Sequence, residues 1–120
     1  MVAAGLALAR EGGPQAVVLR EVSRLTGVAP NAAYRHFANH LALFEAVRAA
    51  ALGALAQAIE QEMKAIEQIP DTVARARGLL AAVGRGYLRF AEVETGWFRT
   101  AFAAGAFDVK VPPDPSRTAD

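Results

Sequence analysis

The sequence has no cysteine, and charge of neither sign dominates it. The absence of cysteine excludes a disulfide framework, a thiolate metal site and a cysteine nucleophile. The 13 Lys and Arg residues nearly balance the 12 Asp and Glu residues, so an affinity for polyanions would have to come from local patterning. The small basic excess lies in residues 1–48, which hold five Arg against three Glu.

Long uncharged apolar segments are missing as well. The apolar start of the chain lacks a basic region and ends at Arg10 and Glu11, so no secretory signal is predicted. Glu45 and Arg48 interrupt the apolar stretch between residues 41 and 59, and the remaining run at 49–56 is far shorter than the roughly 20 residues that span a bilayer. We therefore expect a cytoplasmic protein that does not enter a membrane.

Most of the sequence shows the periodicity of helices. Hydrophobic residues make up 53% of it, with many alanines, and the best strand candidate is a four-residue apolar run at 16–19. Glycine and proline mark the helix ends, as at Gly27 and Pro70. This pattern predicts an all-α fold with helices at residues 2–11, 19–26, 31–37, 40–68, 72–93 and 97–104, and a loose tail at 109–120.

Two of these predicted helices, 19–26 and 31–37, are short and are joined by a turn that contains Gly27. This arrangement is typical of the helix-turn-helix unit that presents its second helix to the DNA major groove. We expect its buried side to consist of Val22, Leu25, Val28, Ala33 and Phe37. The alternative is a plain helical hairpin whose polar side chains are only solvated.

The exposed side of the second short helix would carry the side chains that contact DNA. Asn can pair with adenine and Arg with guanine, while a Tyr hydroxyl can donate to a phosphate. The candidates on this helix are Asn31, Ala32, Arg35 and His36, with Tyr34 at its edge. Flanking candidates for contacts with the DNA backbone are Arg20, Arg24 and His40.

Residues 27–40, Gly-Val-Ala-Pro-Asn-Ala-Ala-Tyr-Arg-His-Phe-Ala-Asn-His, resemble the signature of the TetR family of transcriptional regulators. The family pattern is Gly-Val-Ser, a few variable residues, Tyr-x-His-Phe and then Lys. The resemblance covers about residues 2–48. It implies that Tyr34 contacts operator phosphate, that Asn31 and Ala32 contact base edges, and that His36 is the family histidine. It also implies a three-helix DNA-binding head at residues 1–40, joined by a long linking helix to a helical body at 41–108.

The head departs from the family pattern at three positions. Val18 and Ala29 stand where the family usually has a Ser or Thr that caps a helix, and His40 replaces a lysine that contacts phosphate. These departures support an alternative function, a shortened helical interaction or dimerisation module with weak or no DNA binding.

A second stretch resembles one branch of TetR ligand-binding domains. It comprises Gly-Tyr-Leu-Arg-Phe-Ala at 86–91 and Gly-Trp-Phe-Arg-Thr-Ala-Phe at 96–102, with Thr95 where a proline is usual. The resemblance implies a repressor whose body binds a small apolar effector. The candidate pocket residues are Tyr87, Phe90, Trp97, Phe98 and Phe102, and the alternative for them is an ordinary aromatic core.

The resemblance further implies a chain shortened at its C-terminus, because family members continue through more helices, of which the last two usually form the dimer interface. Apolar residues of the predicted fifth and sixth helices would then lack partners within the chain, which predicts a homodimer through this surface. They are Leu79, Leu80, Val83, Trp97, Phe98 and Phe102.

No other constellation indicates a different chemistry. His36 and His40 have the spacing of metal ligands on a helix, but residues 37–39 are expected to interrupt that helix. Gly84 and Gly86 lack the preceding strand and the third glycine of a dinucleotide-binding loop. A small helical enzyme is the remaining alternative, and the sequence contains no recognisable catalytic set for it. We expect no enzymatic activity, no metal and no cofactor.

Overall fold

The computed structural model describes residues 1–29, 31–32, 35 and 40–103. All the regular structure in these residues is helical: α1 (Val2–Gly12), a 3₁₀ turn (Pro14–Ala16), α2 (Leu19–Thr26), α3 (His40–Lys64), α4 (Thr72–Val93) and α5 (Thr95–Ala101). The predicted all-α class is therefore confirmed. The four-residue strand candidate at 16–19 is divided between the 3₁₀ turn, an extended connection and the start of α2.

Local signals set most of the helix ends. The Asp71 carboxylate accepts a hydrogen bond from the backbone N–H of Ala74 at 2.9 Å and so caps α4, which has the predicted bounds. The long helix α3 ends four residues earlier than predicted, because the N–H of Ile66 bonds to the carbonyl of Met63 at 3.0 Å and tightens the chain into turns. Helix α5 begins two residues before its predicted start, and residue 104, its predicted end, lies outside the described residues.

The N-terminal part of the chain and the first half of α3 share one core. Its buried members are Ala9, Val17, Leu19, Val22, Leu43 and Val47. Leu25 was predicted to join them, and this prediction is wrong, because 48% of the residue is exposed. The buried face of α2 is centred on Leu19, Val22 and Ser23, so Leu25 falls on the flank of the helix.

Helix α5 is fixed to α1 by polar contacts between residues far apart in sequence. The indole Nε1 of Trp97 donates to the carbonyl of Leu6 at 2.8 Å. The guanidinium of Arg10 donates to both carboxylate oxygens of Glu94, with Nε–Oε2 at 3.0 Å and Nη2–Oε2 at 2.7 Å. The same guanidinium lies 4.0 Å from the centre of the Trp97 ring. We call this set of interactions the α1–α5 contact.

The α1–α5 contact depends on a glycine at position 96, where the two helices lie close together. Any Cβ at Gly96 would overlap the carbonyl oxygens of Ala9 and Arg10 at the end of α1. Glycine is therefore required for the first turn of α5 to lie directly on the last turn of α1.

Helix α3 contributes buried residues to the N-terminal core and also beyond it, further along the helix. Leu43 and Val47 are buried in the N-terminal core, and Ala51 and Leu55 are buried further along the same face. By length and composition alone this helix could cross a membrane, a test that core helices of soluble proteins also pass.

Candidate nucleic-acid interface

The turn after α2 has the geometry that a helix-turn-helix requires. Gly27 follows α2 in the left-handed conformation, with φ 70° and ψ 11°, a region that favours glycine. The hydroxyl of Thr26 donates to the carbonyl of Val22 at 2.9 Å and to that of Ser23 at 3.3 Å, and so bonds back to the last turn of α2. At the other end, Val18 occupies the N-cap position in an extended conformation without a side-chain cap, as its apolar side chain dictates.

The described residues after the turn return to helical conformation. Asn31, Ala32 and Arg35 are all helical; Asn31 and Arg35 are exposed, whereas Ala32 is half-buried. Asn31 and Arg35 are thus open to contact a groove, as the exposed face of a recognition helix requires. Tyr34 and His36 lie outside the described residues, as do residues 30, 33 and 37–39, so their DNA contacts stay predictions.

The flanking basic residues differ in whether a carboxylate of the chain pairs with them. Arg20 is exposed and has no ion-pair partner within the described part of the chain. Arg24 forms an exposed ion pair with Glu21 on the same helix, with Nη2 and Oε2 2.8 Å apart. His40 is the exposed first residue of α3, and the first turn of that helix holds no acidic residue. Arg20 and His40 can therefore meet a phosphate without first leaving a carboxylate.

The five predicted pocket residues form two aromatic groups. Tyr87, Phe98 and Phe102 are in contact, with ring centres 5.4 Å apart for Tyr87–Phe98 and 5.0 Å apart for Phe98–Phe102. Phe90 and Trp97 form a separate pair with ring centres 6.5 Å apart. Aromatic packing of this kind stabilises the junction of α4 and α5.

Two cavities lie beside these groups. Phe98 and Phe102 contribute to an open cleft of about 620 Å³, and Phe90 contributes to a smaller groove of about 240 Å³ between α3 and α4. Tyr87 and Trp97 are not among the described residues that line either space. The cleft also takes Pro14 and Gln15 from the head and Phe44 from α3, none of which the sequence indicated as site residues. Their convergence depends on the tertiary fold, and no local motif indicates it.

The α1–α5 contact was also missed at the sequence level. Arg10 and Glu94 are separated by 84 positions, and neither belongs to a motif. Elsewhere, no group of three or more His, Asp or Glu side chains is placed to hold a metal ion, as far as the described residues go.

Comparison with known protein families agrees with this geometry. Residues 1–47 match the family model described as bacterial regulatory proteins, tetR family. Neither the curated proteins nor the solved structures gave a significant match. The matched residues contain α1, α2, the Gly27 turn, the helical residues 31, 32 and 35, and the start of α3. Residues 1–47 thus form a domain of the tetR-family type, with the helix-turn geometry of a DNA-binding head.

Proposed function

We propose that the protein is a repressor that binds operator DNA as a homodimer and releases it when a small apolar ligand binds the helical body. The observation that carries the DNA-contacting part is the Gly27 turn followed by the exposed helical side chains of Asn31 and Arg35. The proposed head comprises residues 1–40 and the proposed body residues 41–108, and the tail predicted at 109–120 lies outside the described residues. The proposed site of action is the cytoplasm.

Within the head, the proposed roles divide between bases and phosphates. Asn31, Ala32 and Arg35 contact base edges, which determines sequence preference. The other proposed contacts are with phosphates and fix the orientation of the head on the duplex. They are made by Arg20, Tyr34, His36 and His40.

The proposed dimer interface is the apolar flank of α4 together with α5. Val73, Leu80, Val83 and Tyr87 share one side of α4, and Leu80 is 76% exposed although it is a large apolar residue. The opposite flank carries the charged residues, where Arg85 and Arg89 face Glu62. Since exposed apolar surface of this kind marks interfaces, C₂ pairing would cover it in both subunits.

A dimer is needed because two heads must contact half-sites about 34–36 Å apart for high affinity. Sedimentation velocity across a concentration series tests the interface. We expect a concentration-dependent dimer for the wild type and a monomer for Leu80→Glu. Ala81→Glu, an exposed change on the other side of α4, is the matched control and should leave the dimer intact. A wild type that remains monomeric at high concentration refutes the interface.

Repression and release require two states of the protein that the ligand binds unequally. The α1–α5 contact supports such coupling, because it joins the head to the helix that carries Phe98 and Phe102. A ligand that displaces α5 must therefore either displace α1 as well or break these interactions.

Selection of bound duplexes from a random pool tests the DNA-binding part. We expect an enriched palindromic motif for the wild type and a relaxed base preference, by about 1–3 kcal/mol at particular positions, for Arg35→Ala. Arg89→Ala, which removes an exposed arginine from the flank of α4 opposite the proposed dimer interface, should return the wild-type motif. An identical motif from Arg35→Ala would show that Arg35 does not contact bases.

A second function is favoured by the ion pairs of the head and the start of α3. Arg10, Arg24 and Arg48 are each engaged by a glutamate of the chain, and α2 lacks a side-chain cap. A helical interaction module with weak DNA affinity would have these properties. A salt titration separates the two functions, because a steep fall in DNA affinity with salt requires several phosphate contacts.

A further inference from the structure

The larger cleft lies where the head meets the body. Pro14 and Gln15 belong to the 3₁₀ turn that follows α1, His40 and Phe44 belong to the first turns of α3, and the other wall comes from α5 and the residues directly after it. Its volume of about 620 Å³ is that of a site for a small organic molecule.

The walls of the cleft combine aromatic rings with cationic and hydrogen-bonding groups. Phe44, Phe98 and Phe102 supply the rings, and the Phe98 and Phe102 ring centres are 5.0 Å apart. Arg99 and His40 supply the nitrogen donors, and no acidic residue is among the described residues that line the cleft. The cleft therefore has an apolar wall and an electropositive edge.

Arg99 is the group that gives this edge its charge. It is exposed and forms no ion pair with any described carboxylate, unlike Arg10, Arg24 and Arg48. A methyl group added at Gly13 would lie 3.5 Å from Nη1 of Arg99 and 3.5 Å from Oε1 of Gln15. The guanidinium thus lies beside the connection between α1 and the 3₁₀ turn, and a bound anion there would be within reach of both Arg99 and the Gln15 amide.

We propose that this cleft binds an apolar aromatic carboxylate, with the ring system against Phe44, Phe98 and Phe102 and the carboxylate at Arg99. Such a ligand contacts the head and α5 at once. Trp97, which directly precedes Phe98, and Glu94, one turn earlier, form the α1–α5 contact with α1. A ligand that shifts Phe98 and Arg99 would therefore strain or break that contact. The regulatory consequence rests on the proposed function; the binding site itself does not.

Isothermal titration calorimetry with 2-naphthoate and its neutral analogue 2-naphthamide tests the site. We expect the full chain to bind naphthoate at least about ten-fold more tightly than naphthamide, because only the carboxylate forms a charge-assisted pair with Arg99. Arg99→Gln should abolish this preference, and Arg77→Gln, a change of an exposed arginine on α4, should retain it. Phe102→Ala should weaken binding of both compounds, because Phe102 is 45% exposed and its ring belongs to the cleft wall.

Absence of naphthoate binding to the wild type, or a preference that survives Arg99→Gln, overturns the proposed site. A DNA titration with the same protein samples separates this result from the proposed function. If naphthoate binds as expected but the ligand-free protein does not bind DNA, the site is supported and the proposed repressor function fails. If Arg99→Gln lowers DNA affinity and leaves naphthoate binding unchanged, Arg99 contacts phosphate and the proposed ligand site is wrong.

Discussion

Replacement of Trp97 by phenylalanine tests whether the α1–α5 contact stabilises the protein. Trp97→Phe keeps an aromatic ring beside Phe90 but removes the indole N–H that donates to the Leu6 carbonyl at 2.8 Å. It also weakens the stacking of the Arg10 guanidinium, which lies 4.0 Å from the Trp97 ring centre, because the phenyl ring attracts cations less than indole does.

The expected loss follows from these interactions. A hydrogen bond of this kind contributes about 1 kcal/mol, and the exposed cation–π pair contributes about 0.5–1 kcal/mol, of which phenylalanine keeps part. The smaller ring of a half-buried side chain removes a further fraction of a kilocalorie of apolar burial. We expect a free energy of unfolding lower by about 2 kcal/mol, which for a domain of this size lowers Tm by about 8 °C.

Thermal unfolding followed by far-ultraviolet circular dichroism measures this change. Leu88→Ala is a suitable control, because Leu88 is 64% exposed on α4, and its replacement should alter stability by no more than about 0.5 kcal/mol. If Trp97→Phe melts within about 1 °C of the wild type, the hydrogen bond and the ring contact contribute no net stability, and the proposed coupling of head to body loses its support.

Three further predictions concern other parts of the structure. Gly96→Ala should lower the free energy of unfolding by about 1–3 kcal/mol, because its methyl group overlaps the end of α1. Gly84→Ala, with nothing within 4 Å of the new methyl, should raise it by about 1 kcal/mol. Urea unfolding of both variants measures the contrast. Val18→Thr should raise the free energy of unfolding by about 1 kcal/mol, because it supplies α2 with the side-chain cap that it lacks; a Tm equal to that of Val18→Ala would contradict this. Tyr34→Phe should weaken binding to all DNA sequences alike, by about 1–2 kcal/mol, because a phosphate contact carries no base information; unchanged affinity in a gel-shift titration would refute the contact.

The predictions that held depend on signals within a few residues of one another. Gly27 indicated the end of α2, and Pro70 indicated the break before α4, because a left-handed turn and a proline break are properties of short segments. The helix-turn-helix could be identified for the same reason, since its turn and both flanking helices lie within about twenty residues of sequence.

The features that the sequence did not predict depend on tertiary packing. Leu25 has the spacing of a core residue, but the buried face of α2 is decided by which side meets α1 and the N-terminal core, and Leu25 lies outside it. The ion pair of Arg10 with Glu94 and the convergence of Gln15, Phe44 and Arg99 on one cleft bring together residues from opposite ends of the described chain. Which distant helices pack together determines the ion pair and the cleft, and the periodicity of the sequence does not indicate that packing.

Because α3 is continuous, we expect the N-terminal core and the contact of α3 with α4 to unfold as a single cooperative unit. The helix is 25 residues and therefore roughly 37 Å long, with Val47 in the core of the head and Ile59 in backbone contact range of Gly86 on α4. No break in hydrogen bonding separates these two regions. Backbone amides in the middle of α3 should therefore exchange with deuterium only through global unfolding, at the same free energy whether they lie nearer the head or the body.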